Sequence, residues 1–165
     1  MNNFLIIPME PYHWEFVRDI YQKGIELAIS TFTATVPDYD TWDKNHLKFC
    51  RLVAVMEDKI VGFAALSPIS SAPAYSGACE FSVYINPEFK RMGIGKALTD
   101  EIWRLCPECG IWMLYSSIIA DNEASVGLHY ACGFRLIGYR EKPAKDINGL
   151  WRDTVLMEKR SSDMY

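Results

Sequence analysis

The hydrophobic positions change period several times along the chain, and each change marks an element. Phe4-Leu5-Ile6-Ile7 is a short apolar run closed by Pro8, as a first strand would be. Over residues 11–28 the apolar positions Trp14, Val17, Ile20, Tyr21 and Leu27 fall on one helical stripe, and Pro11 suits the helix start. Residues 30–38 are β-branched and polar without a helical period, and Pro37 limits strand pairing, so a loop is expected there. A short second helix is expected from Asp40 or Thr41 to Phe49. Residues 52–55 and 60–66 flank a Glu57-Asp58-Lys59 turn and read as a hairpin, and their near-continuous apolar character suits strands buried on both faces.

Residues 67–77 form a loop rich in Ser, Ala and Pro, and residues 78–85 a third meander strand. The following helix carries Ile94, Ala97, Leu98, Ile102 and Leu105 on one face and stops at Pro107 and Gly110. Residues 111–119 are the most apolar strand and are expected to be central. Residues 122–132 predict another helix, ended by Gly133 as a C′ glycine. Residues 134–140 and 151–157 predict strands joined through an Asn148-Gly149 turn. The predicted order is β-α-α-β-β-β-α-β-α-β-β, an α/β string without internal repeats.

One stretch concentrates chemistry. The strand Glu80-Phe81-Ser82-Val83-Tyr84-Ile85 feeds Asn86-Pro87 and then Arg91-Met92-Gly93-Ile94-Gly95-Lys96 at a helix start. Unpaired N–H groups, the positive helix end and two cations converge there, which suits a phosphate. A nucleotide P-loop would need four residues between its first glycine and a Gly-Lys followed by Ser or Thr, and here Ala97 follows Lys96. The dinucleotide fingerprint would need a glycine at position 98, which is Leu. What remains is either another kind of phosphate loop or a glycine turn with solvated cations.

At 165 residues the chain is long enough for one domain, taken as residues 1–165. A formal net charge of −4, with no long basic tract, argues against nucleic acid or an anionic membrane as the main partner. The run at residues 4–7 is too short to span a bilayer and lacks a basic leader, so a cytoplasmic location is expected. Five cysteines at irregular positions make no disulfide framework. Cys106-Pro-Glu-Cys109 could be redox-active or half of a zinc site. However, no second CxxC or paired histidines complete a metal site, and its place at a helix end lacks the dipole that activates thiols, so no metal is expected.

The Arg-x-Gly-x-Gly-Lys loop after a strand, with Asn122-Glu123-Ala124-Ser125-Val126-Gly127-Leu128-His129 and Gly133-Phe134, resembles the GNAT superfamily of N-acetyltransferases. The resemblance narrows to the phosphinothricin, methionine sulfone and methionine sulfoximine acetyltransferase subfamily through Thr31-Phe32, Pro73-Ala74-Tyr75, Glu80-Phe81-Ser82-Val83-Tyr84, Leu128-His129 and Gly149-Leu150-Trp151-Arg152-Asp153 through Met157. One departure stands out: the subfamily usually has arginine where this chain has Ala72. The resemblance implies a GNAT fold, a mixed and mostly antiparallel sheet of about seven strands flanked by about four helices. It also implies acetyl-coenzyme A as co-substrate, direct attack in a ternary complex, and an acceptor amine on a small molecule such as an amino acid or analogue. An acyl-coenzyme A binding module without turnover, and acceptors such as a protein N-terminus or a polyamine, are the alternatives.

Under that resemblance Glu80 is the expected base. Main-chain groups of Val83, Tyr84 and Ile85, where the strand is expected to bulge from its neighbour, would hold the thioester oxygen. Residues Arg91, Met92, Gly93, Ile94, Gly95 and Lys96 would hold the pyrophosphate. Asn122 and Ser125 would bond the pantetheine arm, on one helical stripe with His129. His129 stands where many relatives carry tyrosine and would serve either as acid toward the thiolate or as a hydrogen-bond partner of the cofactor. Phe32, Thr33, Tyr75, Tyr84 and Trp151 are either acceptor-pocket residues or core. The last hairpin could instead form a homodimer interface, as in relatives.

Overall fold

The computed structural model describes residues 3–163. Its strands are β1 (Leu5–Pro8), β2 (Leu52–Met56), β3 (Lys59–Pro68), β4 (Ala78–Ile85), β5 (Met113–Ile119), β6 (Arg135–Lys145) and β7 (Trp151–Arg160), in the spatial order β1-β2-β3-β4-β5-β7-β6. The pairs are antiparallel except β4 with β5, which run parallel. Four helices complete the fold among the described residues: α1 (Trp14–Glu26), α2 (Tyr39–Asn45), α3 (Ile94–Leu105) and α4 (Glu123–Ala131).

The period of two along β2, and along β3 on either side of an irregularity at Val61, splits the core between the faces of this sheet. Val53, Phe63 and Ala65 meet Trp14, Val17, Ile20 and Trp42 of α1 and α2. Ala54, Val61, Ala64 and Leu66 meet Ile94, Leu98 and Ile102 of α3 on the other face. Burial on both sides explains why these strands read as unbroken apolar runs.

Several boundaries differ from expectation. The first helix opens with a 3-10 turn at Pro11–His13 and ends at Glu26. The second starts at Tyr39 because the Asp38 side chain accepts from Thr41 N–H at 2.8 Å, and it ends at Asn45, where His46 turns extended. The strand expected over residues 134–140 continues to Lys145. The most apolar run does not occupy the middle of the sheet: β4 does, with β5 beside it. Apolar content reports burial and not position, and Ile111 is buried in the core from the loop that precedes β5.

No helix among the described residues is long and apolar enough to cross a membrane. Cys106 is buried where α3 ends, and Cys50 Sγ lies 3.8 Å from Cys109 Sγ. Burial raises the Cys109 thiol and pushes Cys79 up to about 11, so both stay protonated near neutrality.

Candidate active site

The site begins where two strands part. β4 and β5 are in register at Ala78 with Met113, Cys79 with Leu114 and Glu80 with Tyr115, and there their pairing stops. β4 continues along β3 to Ile85, and β5 along β7 to Ile119. The strand therefore diverges from its neighbour without the bulge that was expected, its register against β3 being unbroken. Asn86 N–H donates to Val61 O of β3, whereas Phe81 O faces Ser116 Oγ of β5. Alternation then turns the N–H groups of Val83 and Ile85 into the gap and that of Tyr84 toward β3.

Two cavities meet at this gap. One, of about 390 Å³, is lined by Glu80, Val83, Tyr84, Phe32, Thr33, Asn122, Ser125 and His129 among others. The other, of about 610 Å³, is lined by Val83, Tyr84, Ile85, Arg91, Gly93, Ile94, Gly95, Lys96, Asn122 and Ser125 among others. Val83, Tyr84, Asn122 and Ser125 belong to both, so a molecule lying in the larger groove can present one end to the smaller cavity.

Glu80 stands at the apex of the parting. Burial raises its carboxyl above the ordinary 4.5 and is the sole cause of that shift. Its wall neighbour Tyr84 stacks on Phe63 at 5.2 Å and meets the tilted ring of Tyr21 at 4.9 Å, and burial raises its phenol strongly. Gly24 of α1 lies against the same ring, where an added Cβ would come within 2.8 Å of Tyr84 Cδ1. A glycine inside a helical stripe was the signal that could have marked this position.

His129 is 3% exposed and caged by Phe134 at 4.7 Å and Phe81 at 5.8 Å. Its Nδ1 lies 2.7 Å from Ser125 O, and a carbonyl can only accept, so Nδ1 carries a proton. Burial holds the imidazole below its usual pKa and hence neutral near pH 7, which makes Nε2 an acceptor. The hydroxyl of Ser116, 2.9 Å away, donates to it. The neutral ring thus has no proton of its own to offer a thiolate, and the single proton of Ser116 is taken up by Nε2. Nothing in the local pattern of β5 pointed to that serine. Ser116→Ala strands a buried acceptor and is expected to cost about 1–3 kcal/mol in a denaturant titration; an unchanged midpoint would contradict this pairing.

At the other end of the groove Gly93 adopts φ 81 and caps α3. The first helical bond is Ala97 N–H to Gly93 O, so the N–H groups of Ile94, Gly95 and Lys96 have no partner within the helix. Arg91 also lines the groove, in the left-handed region at φ 62. Lys96 pairs with Asp100 one turn on, leaving less of its charge for the groove. Met92 is exposed and lines neither cavity. The Asn122 side chain accepts from Ser125 N–H at 3.2 Å and caps α4, leaving its amide N–H groups available.

Two expected pocket residues lie elsewhere. Tyr75 is exposed on a 3-10 turn, and exposed Trp151, at the start of β7, has Lys145 Nζ 5.0 Å from its ring centroid. Neither lines a cavity with Glu80, because the chain carries them to the rim of the sheet. Among the described residues no group of three or more His, Cys, Asp or Glu is arranged to hold a metal.

The model of the acetyltransferase (GNAT) family matches residues 14–134. A phosphinothricin N-acetyltransferase of Alcaligenes faecalis is 36% identical over 110 residues, which are 66% of this chain and 55% of that protein. One from Streptomyces coelicolor is 37% identical over 84 residues, 50% of this chain and 49% of that protein. The chain thus aligns with about half the length of these curated relatives. A phosphinothricin acetyltransferase from Sinorhizobium meliloti, solved with acetyl-coenzyme A, superposes with a TM-score of 0.84 at 24% identity, covering 99% of this chain and 96% of that one.

Proposed function

Since the chain belongs to the GNAT acetyltransferase family, we propose that it moves an acetyl group from acetyl-coenzyme A to the primary amine of a small molecule. The observation that carries this is the meeting of the two cavities at Val83 and Tyr84, beside Glu80. The pyrophosphate would take the open N–H groups of α3 with Arg91 near it, and the pantetheine arm would run along β4 toward the gap.

The amine enters the smaller cavity and gives a proton to the Glu80 carboxylate, directly or through water. Its nitrogen attacks the thioester carbon while the N–H groups of Val83 and Ile85 hold the developing oxyanion. The nitrogen sheds its second proton as the C–S bond breaks, and that proton passes through water to the departing thiolate. His129 and Ser116 stay bonded to each other in the cavity wall. The amino acids and analogues named for the relatives are the first acceptors to try, and thiol release on mixing chain, acetyl-coenzyme A and an amine panel is the test. Binding of acetyl-coenzyme A without release from any amine would favour a binding module instead. The half-buried, unpaired carboxylate of Glu80 argues for turnover, since simple binding has no use for a base there.

The chain is further proposed to work in the cytoplasm as a homodimer. Leu136, Ile137, Tyr139, Leu150 and Trp151 stand exposed along the β6–β7 hairpin, at the open edge of the sheet. Sedimentation equilibrium is expected to give twice the chain mass, and a double Leu136→Asp, Ile137→Asp variant the single mass. A wild-type monomer at micromolar concentration would refute the dimer.

A further inference from the structure

The walls of the acceptor cavity carry a charge pattern that bears on what the acceptor is. Among the described residues that line it, Glu80 is the one formally charged side chain, since burial keeps His129 neutral. Hydroxyl groups dominate the rest: Ser30, Thr31, Thr33, Ser67, Ser82 and Ser117. The cations of the neighbouring groove, Lys90, Arg91 and Lys96, lie toward the α3 terminus, and Arg152 near the start of α4 is held by Asp121 at 2.5 Å and Asp146 at 2.7 Å. Burial raises both the Glu80 carboxyl and the Tyr84 phenol, so this space resists a negative charge.

A free amino acid would bring a second negative charge into that space. With its nitrogen within hydrogen-bond reach of Glu80, its own carboxylate would lie about 5 Å from the Glu80 carboxylate, a repulsion on the order of 100-fold in affinity at the effective dielectric of a protein surface. No lining lysine or arginine among the described residues offsets it. Hydroxyl and amide groups, in contrast, find donors and acceptors on every wall.

We propose that the acceptor is a primary amine without an acidic group, its other polar atoms being hydroxyl or amide: an amino alcohol or an amino-acid amide, not a free amino acid. The proposal rests on acetyl transfer at this site and separates this chain from relatives whose named acceptor is an acid.

Matched pairs that differ only at the acid test it, with thiol release from acetyl-coenzyme A as the readout on the full chain. Serine is compared with 2-amino-1,3-propanediol, and methionine sulfone with its carboxamide. The acid-free member of each pair is expected to have kcat/KM higher by about 30-fold or more, less than the full repulsion because solvent at the mouth screens part of it. Equal values, or a preference for the free acids, would overturn the charge selection while leaving acetyl transfer standing. Thiol release from neither member of either pair, nor from a broader amine panel, would overturn acetyl transfer and the selection with it.

Discussion

Replacing Glu80 with glutamine is expected to lower kcat/KM for any accepted amine by about 100- to 1,000-fold, the range for loss of a positioned base. Acetyl-coenzyme A affinity should be unchanged in calorimetry, because the substitution keeps the shape of the apex and lies off the pyrophosphate end. The pH profile sharpens the expectation. Activity needs the ionised carboxylate, so the wild-type rate should fall with acid along a limb lying above the ordinary 4.5, where burial has moved the group. That limb should be missing in the variant. Stability should move the other way. The folded pKa is raised, so the carboxyl favours folding fully below its unfolded value, and that contribution is lost as pH rises through the folded one. At neutral pH the half-buried anion opposes folding, and Glu80→Gln is expected to melt higher than wild type, with the advantage shrinking toward pH 4.5 and below. A variant that loses stability and activity together would mark Glu80 as structural.

Gly93→Val is expected to remove acetyl-coenzyme A binding by about 100-fold or more, since losing two charge-assisted hydrogen bonds at about 1.5–3 kcal/mol each has that consequence. An added Cβ at Gly93 meets nothing within 4 Å, so the cause is backbone: φ 81 is strained for a β-branched residue. Relief of the strain would turn the N–H groups of Ile94, Gly95 and Lys96 away from the groove. Gly95→Val acts differently, its Cβ standing 3.0 Å from Leu128 Cδ2 and pressing on α4 as well as on the groove. Titration calorimetry and a thermal melt separate the cases: for Gly93→Val binding should vanish while the cooperative melt survives. Undiminished binding would mean that the cofactor sits elsewhere.

Local signals carried much of the fold. The stripe at Trp14, Val17 and Ile20, the unbroken runs of β2 and β3, and the glycine that starts α3 each follow from periodicity or turn chemistry within a few residues. Asn122, Ser125 and His129 share a stripe for the same reason, and they line one cavity with Glu80. Tyr75 and Trp151 show the limit of such signals. Their motifs are local too, but whether a residue faces a cavity or the rim depends on how distant strands are laid side by side.

The chain's own order of residues determined which segments are strands and helices, which faces they bury and where a helix begins with open N–H groups, because each is settled by neighbours one or two turns away. Only the assembled sheet decided that β4 and β5 part after Glu80, that Gly24 abuts Tyr84, and that Ser116 donates to His129. Those contacts join residues far apart along the chain, whose pairing leaves no period or turn signature behind; they arise from packing two faces of one twisted sheet.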